Sequence, residues 1–346
     1  MSNNSSNTIT KLRARDGTTL GTFRTGSYPV GTAYDGANIW VANYGFDGAS
    51  DTATVLNAST GQPVSFSPVV VGQGPRGLAF DGANIWVADS ASNAVTKMRA
   101  RDGTRLATIP VGLGPECLAF DGASIWVTNR GASSVTKLRA SDGKILGTYP
   151  VGNSPFGIAS DGVHIWVANG GNNVTELALN GSILRRVAVG NGASGVAFDG
   201  THIWVVSQNS HTVAELRASD GEVLGTFAVS GNPWGAAFDG TNIWVSNFTG
   251  SNVWRFSSQQ TRLAHATWLG FANGNAAQDR DIEIRRNCGD FKRVYVPDSV
   301  GNRFNDLCGY MNKTCEKVCD WEGRILSCNA VSLGGNRDGT RVASCH

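Results

Sequence analysis

Six side chains of contrasting chemistry stand at one recurring place in this chain. Most copies of the stretch Gly-x-x-Pro-x-Gly differ at the residue after the proline. It is Val30, Arg76, Glu116, Phe156, Ser194 (with Ala193 in place of proline) and Trp234, with Leu269 as the nearest later counterpart. A guanidinium, a carboxylate and two large rings brought to one surface would grip a small polar ligand or a peptide; ordinary variation among solvated loop residues is the alternative. A second set lies some twelve residues further along each copy: Tyr44, Asn129, Arg130, Asn169, Gln208 and Phe248, beside Asn43, Asp89 and Asn247. Amides next to aromatic rings suit sugar hydroxyls and the apolar faces of pyranoses. They also suit tight turns, because Asn tolerates positive φ and hydrogen-bonds its own backbone.

For acid–base chemistry the candidates are Glu116 and His211, the one histidine expected near that surface. General-base work by His211 needs a carboxylate or metal within hydrogen-bond reach, and none is adjacent in sequence. There is no His-Glu-x-x-His, no Gly-rich phosphate loop and no Gly-x-Ser-x-Gly elbow. His164 and His202 occupy equivalent places where sibling copies carry Asn84 or Ser124, and read as hairpin residues. The ladder Asp35, Asp81, Asp121, Asp161, Asp199, Asp239 looks like a carboxylate ring, but each is followed by Gly. A turn carboxylate accepting backbone N–H groups accounts for it.

These residues are carried by a repeat. The Asp-Gly turn precedes Ile39-Trp40-Val41, and the same combination returns five times, through Ile85-Trp86-Val87 to Ile243-Trp244-Val245, at intervals of 38 to 46 residues. That period is the range of propeller blades. In one copy, four strands are expected at Pro115–Phe120, Ser124–Thr128, Ser134–Arg139 and Ile145–Val151, with Asp121-Gly122 and Asp142-Gly143 as hairpin turns. Ile125 and Val127 fall on one face and Trp126 on the other, so both faces are apolar, which suits stacked blades better than a sandwich with a wet side. The tryptophans accordingly read as interblade packing. Thr8–Arg13 and Leu20–Phe23 match the third and fourth strands of a copy with nothing before them, while Ala272–Ala277 and Asp281–Arg286 match a degraded first and second strand. The expected fold is all-β: a seven-bladed propeller over residues 8–286, closed by pairing of the N- and C-terminal strands, with six blades as the alternative count.

Residues 287–346 speak a different language. Six of the seven cysteines, Cys288, Cys308, Cys315, Cys319, Cys328 and Cys345, fall here, and read as three disulfides of a small C-terminal module. A short helix is expected within Phe304–Val318, and a hairpin over Ile325–Ser344 turning near Gly334–Gly339. Zinc ligation by Cys315, Cys319, Cys328 and His346 has off-pattern spacing. Cys117 takes the place of a sibling glycine and reads as a small buried residue. A disulfide framework implies a secreted, periplasmic or surface location. Met1–Asn7 has neither the basic nor the apolar part of a leader, so the reading assumes that a signal peptide has been replaced.

Composition narrows the partners. With 29 Lys plus Arg against 27 Asp plus Glu among 346 residues, no global field favours nucleic acid or an anionic membrane. No apolar run approaches the roughly 20 residues that span a bilayer. Forty-four glycines suit a chain that turns often. A glycan, peptide or protein ligand, no cofactor and a monomeric state are the expectation.

The Asp-Gly turn before an Ile-Trp strand resembles the YVTN family of bacterial propeller repeat proteins over residues 8–256 and, more distantly, the virginiamycin B lyases. The first resemblance implies a surface or secreted binding protein. The second implies opening of a cyclic lactone ester with a magnesium ion near the propeller axis and a histidine base. Asn43, Asp89, Asn129 and Asn169 stand where lyase blades favour Thr-Glu, and no magnesium ligand or base is carried over to a residue of this chain. A scaffold role is the third alternative.

Overall fold

The computed structural model describes residues 1–45, 51–249 and 252–256 in full, and thereafter the backbone of strand segments from residue 257 to residue 345. The chain divides into two compact units, Met1–Gln259 and Gln260–His346.

The first unit is a seven-bladed β-propeller. Blade 1 has Ser2–Asn3, Thr8–Leu12 and Thr19–Arg24. Blades 2 to 6 each have four strands in simple antiparallel order, beginning at Pro29, Pro75, Pro115, Pro155 and Ala193. Blade 7 contributes Pro233–Phe238, Asn242–Asn247 and Val253–Ser257. In blade 4 the strands are Pro115–Phe120, Ser124–Asn129, Ser134–Arg139 and Ile145–Pro150, matching the expectation to within a residue.

Each Asp-Gly turn is built by its carboxylate. Asp121 Oδ1 accepts the backbone N–H groups of Ala123 at 2.8 Å and Ser124 at 2.6 Å, and Gly122 takes the positive φ (98°) that the turn needs. The other carboxylate oxygen accepts the indole N–H of Trp126 at 2.7 Å. The buried tryptophan of one blade then packs on the Ile and Val of the next: Trp86 with Ile125 and Val127, Trp126 with Ile165 and Val167, Trp166 with Ile203 and Val205. Two apolar faces per blade thus become seams between blades.

A second device staples the seams. In the third strand Lys11, Lys97 and Lys137 donate to carbonyls in the following blade's outer turn, at Ala58 (2.9 Å), Ala140 (2.7 Å) and Leu179 (2.6 Å). Lys97 and Lys137 also lie over the rings of Trp86 and Trp126. Arg255 of blade 7 lies over Trp244 and donates to the carbonyl of Arg15, in the outer turn of blade 1. The contact that joins neighbours in sequence therefore also joins the last blade to the first.

The completion of blade 1 differs from expectation. Its ladder, among the described residues, is extended by Ser2–Asn3 pairing with Thr8 and Ile9. Asp281–Arg286, expected as the second strand of that blade, lies within Arg280–Arg286 and pairs with Asp290–Val296 in the second unit. A hairpin partner that begins at Asp290, four residues after Arg286, closes at lower entropic cost than a strand near the N-terminus. Ala272–Ala277 lies outside the described residues.

In the second unit, Val331–Gly335 pairs with Arg341–Cys345, within the span expected for a hairpin, whereas Ile325–Leu326, expected in the same hairpin, pairs with Val318–Cys319. The expected helix, apart from Val318, and the cysteine side chains lie outside the described residues. No helix of the described residues is long and apolar enough to cross a membrane.

Candidate functional site at the axial mouth

The variable residues sit at the start of the innermost strands, and each is freed from the ladder by a β-bulge. Pro115 pairs with Asn129 but the next pair is Leu118 with Val127, so Glu116 and Cys117 stand outside the regular register; the same break follows Pro29, Pro75, Pro155, Ala193 and Pro233. Bulges re-aim side chains. The glycine after the variable residue has its own reason. A Cβ on Gly77 would meet the carbonyl oxygen of Glu116 at 2.6 Å, and one on Gly157 that of Ser194 at 2.1 Å. Inner strands of adjacent blades touch backbone to backbone there, which brings the variable side chains together. Cys117 occupies this glycine place in blade 4. It is partly buried rather than fully buried as expected, packed on the core between blades 4 and 5, and its surroundings push the thiol up to about 12, so it is protonated at neutral pH.

The side chains form an arc of contacts. Tyr44 lies under the Arg76 guanidinium, 4.4 Å from ring centroid to Cζ. Arg76 Nη1 donates to Glu116 Oε1 at 2.9 Å, with Glu116 only 4% exposed. Arg130 lies over the Phe156 ring at 5.6 Å. Phe156 meets Trp234 edge to face, with centroids 5.0 Å apart, and Phe248 lies 5.8 Å beyond Trp234. Blades 5 and 7 are not sequence neighbours. Their rings meet across blade 6 because Ser194 is small and turned away, its hydroxyl donating to the carbonyl of Trp234 at 2.9 Å. Burial raises the carboxyl of Glu116 above the ordinary range, against the opposing pull of Arg76 and Arg130.

Two expected site residues are placed elsewhere. Asn129 and Asn169 are fully buried at the ends of second strands. Their amide N–H groups are spent on Ser134 and Thr136, and on Asn173 and Thr175, tying second strand to third. Asn43 does the same with Thr52 and Thr54. They also wall the approach of Gly26, Gly112 and Gly152 in the preceding loops. They turn inward and hold the loops of the site.

Glu116 and His211 are not brought together. Glu116 is engaged by Arg76, while His211 and Gln208 line a separate cleft between blades 6 and 7, with Asn209, Gly231, Asn232 and Thr249. Among the described residues no carboxylate lines that cleft. Asn209, Asn232 and Thr249 went unremarked in the sequence; the residue before the loop proline, as Asn232 is before Pro233, was the available signal. His164 and His202 sit between the turn aspartate and a buried glutamate of the third strand, 3.3 Å from Glu176 and 3.5 Å from Glu215. Those glutamates take the place of Lys97 and Lys137, and the histidines are structural partners to them.

Magnesium does not fit the mouth. The ion asks for several oxygen donors in octahedral array. The carboxylate here is salt-bridged to Arg76, and its neighbours in the ring of variable positions are Val30, Phe156, Ser194 and Trp234. Among the described residues no three His, Cys, Asp or Glu side chains converge to hold a metal.

No protein-family model matches the chain, and no curated protein matches it in sequence. Solved structures do resemble it. Kuenenia stuttgartiensis hydrazine synthase superposes with a TM-score of 0.65 at 19% identity, over 75% of this chain and 91% of that one. A functionally unknown protein from Desulfotomaculum acetoxidans gives 0.64 at 16%, over 74% and 91%. A streptogramin B lyase gives 0.57 at 17%, over 74% and 86%. The YVTN resemblance thus narrows to a common fold: the chain carries a seven-bladed β-propeller of the kind found in hydrazine synthase and streptogramin B lyase.

Proposed function

We propose that the axial mouth is a recognition site for a small anionic ligand or peptide end that carries a flat apolar group. The carrying observation is the arc itself, in which the rings of Phe156 and Trp234 adjoin an exposed Arg130 that acts on the Glu116 carboxylate only at long range and forms no salt bridge among the described residues. Rigid aromatic rings supply contact area at small entropic cost, and arginine supplies a forked donor pair for a carboxylate or phosphate. Arg76 is already committed to Glu116, which leaves Arg130 for the ligand. Titration calorimetry with phenyl phosphate, indole-3-acetate and a peptide ending in tryptophan tests this. Binding of at least one is expected, weakened in Trp234→Ala by about 2 kcal/mol, or roughly thirtyfold. Equal binding by parent and variant, or no binding by the parent, rejects the site.

Catalysis on the same face is the second reading, supported by the use of this fold in streptogramin B lyase and hydrazine synthase and by a buried Glu116 whose carboxyl is biased toward its protonated form. It requires turnover of a cyclic ester such as a streptogramin B by the purified protein, lost in Glu116→Gln. Binding without turnover rejects it.

The tail supports a secreted, periplasmic or surface setting. Three disulfides among Cys288, Cys308, Cys315, Cys319, Cys328 and Cys345 leave Cys117 as the single thiol of denatured, unreduced protein; seven thiols would contradict this.

A further inference from the structure

The cleft between blades 6 and 7 has a volume of about 610 Å³, within the usual range of ligand sites. Its lining, among the described residues, offers three side-chain amides (Gln208, Asn209, Asn232), the His211 imidazole and the Thr249 hydroxyl, with no carboxylate, lysine or arginine. Among the described residues these five side chains make no hydrogen bond to the protein. The backbone that carries them is pinned: Gln208 N donates to Gly192 O at 2.9 Å, Asn209 N to Asn191 O at 3.1 Å, and Phe248 N to Asn232 O at 2.8 Å. His211 adopts φ of 53°, close to the 54° of Asn7 and Asn93 and the 49° of Ser133 in the same turn of sibling blades. The fold asks for that backbone conformation, but it asks for no imidazole, and after glycine Asn adopts it more readily than other residues. Phe248, beside Thr249, is 56% exposed at the rim.

We infer that this cleft binds a neutral carbohydrate. Each amide presents a donor and an acceptor on one planar group, the complement of a vicinal diol whose hydroxyls do both. An anion would call for a cation in the lining, and an apolar peptide side chain for an apolar pocket; neither is present. The exposed ring of Phe248 supplies a flat apolar surface for the C–H face of a pyranose, amphipathic in the same sense. The site shares with the mouth only the outer ring of the arc, Phe248, and leaves Arg130, Phe156 and Trp234 unused, so either assignment can fail alone.

Titration calorimetry of the full chain with cellotetraose, chitotetraose and mannotetraose tests the inference. At least one binds, and Asn232→Ala and Gln208→Ala each weaken binding roughly tenfold, the worth of one or two hydrogen bonds. Arg130→Ala, at the mouth, leaves it unchanged. Thr249→Val, on the exposed rim, serves as a further variant if Asn232→Ala lowers the melting temperature. Failure of all three sugars at millimolar concentration overturns the proposal. So does binding that survives the cleft variants but is lost in Arg130→Ala, since that places the sugar at the mouth.

Discussion

The indole nitrogen of Trp126 donates to Oδ2 of Asp121 across 2.7 Å, and the pair Trp40–Asp35 repeats the bond at 2.8 Å. It recurs in all six Asp-Gly-x-x-Ile-Trp copies, with the carboxylate five residues before the tryptophan. One oxygen makes the turn and the other fixes the ring that fills the seam to the next blade. Local turn chemistry and interblade packing are thereby joined in one side chain.

Asp121→Asn should therefore be costly despite its equal size. Oδ1 is needed by two backbone amides, so the new NH2 group faces the indole N–H, donor against donor. A loss of about 2 kcal/mol is expected, with Trp126→Phe partly relieving it in the double variant. Urea unfolding of the two single variants and the double checks the coupling; strict additivity would show that the bond contributes nothing.

Asp89 gives the pH-dependent prediction. It stands where Asn43, Asn129, Asn169 and Asn247 stand in other blades, fully buried, accepting a 2.6 Å bond from Thr96 Oγ1. Burial raises its carboxyl to about 6, against the pull of Thr96, the Gly72 amide and Arg105. Between the unfolded value near 4 and about 6, the folded state holds the extra proton. Stability conferred by this group therefore falls as pH rises through that window, by about 2 to 3 kcal/mol in all. Asp89→Asn should recover most of that at pH 7.5 and change little at pH 3.5, because its amide can donate to Thr96 as Asn129 does to Thr136. Urea melts at the two pH values decide it. No gain at pH 7.5 would mean that the ionised group is not penalised.

Strand limits were legible because Asp-Gly or similar glycine turns, with the Ile-Trp-Val core in blades 2 to 7, pin the blades at several points. The Arg76–Glu116 contact was also within reach, since opposite charges at one repeat position in consecutive blades must become neighbours. Asn129 and Asn169 were misplaced because an amide at a strand end reads alike whether it caps a loop or turns inward. The signal lay one strand away, in Thr54, Thr96, Thr136 and Thr175, which recur where an inward amide needs a partner. The second strand of blade 1 was not legible at all: two residues, Ser2 and Asn3, carry no periodicity.

Ring closure supplies the last prediction. The seams from blade 1 to 2, 3 to 4 and 4 to 5 each set a lysine ammonium on a carbonyl of the next outer turn, and Arg255 does the same with its guanidinium from blade 7 to Arg15. Its guanidinium also covers Trp244, so the side chain couples the last blade's core tryptophan to the first blade. An open propeller would leave that tryptophan and the edge of blade 1 facing water, at a cost shared by every blade through the cooperative ring. Arg255→Ala should lower stability by about 1 to 2 kcal/mol, from a charge-assisted hydrogen bond and a partly buried cation–π contact. Arg255→Lys should retain most of it, because lysine serves this place in three other blades. Removal of residues 1–24 should go further and convert a single unfolding transition into a broad, weakly cooperative one. Differential scanning calorimetry separates these outcomes. A truncated protein that melts as sharply as the intact chain, and within a degree or two of it, would show that blade 1 is an ornament on a six-bladed ring, and the Arg255–Arg15 contact would lose its meaning as a closure.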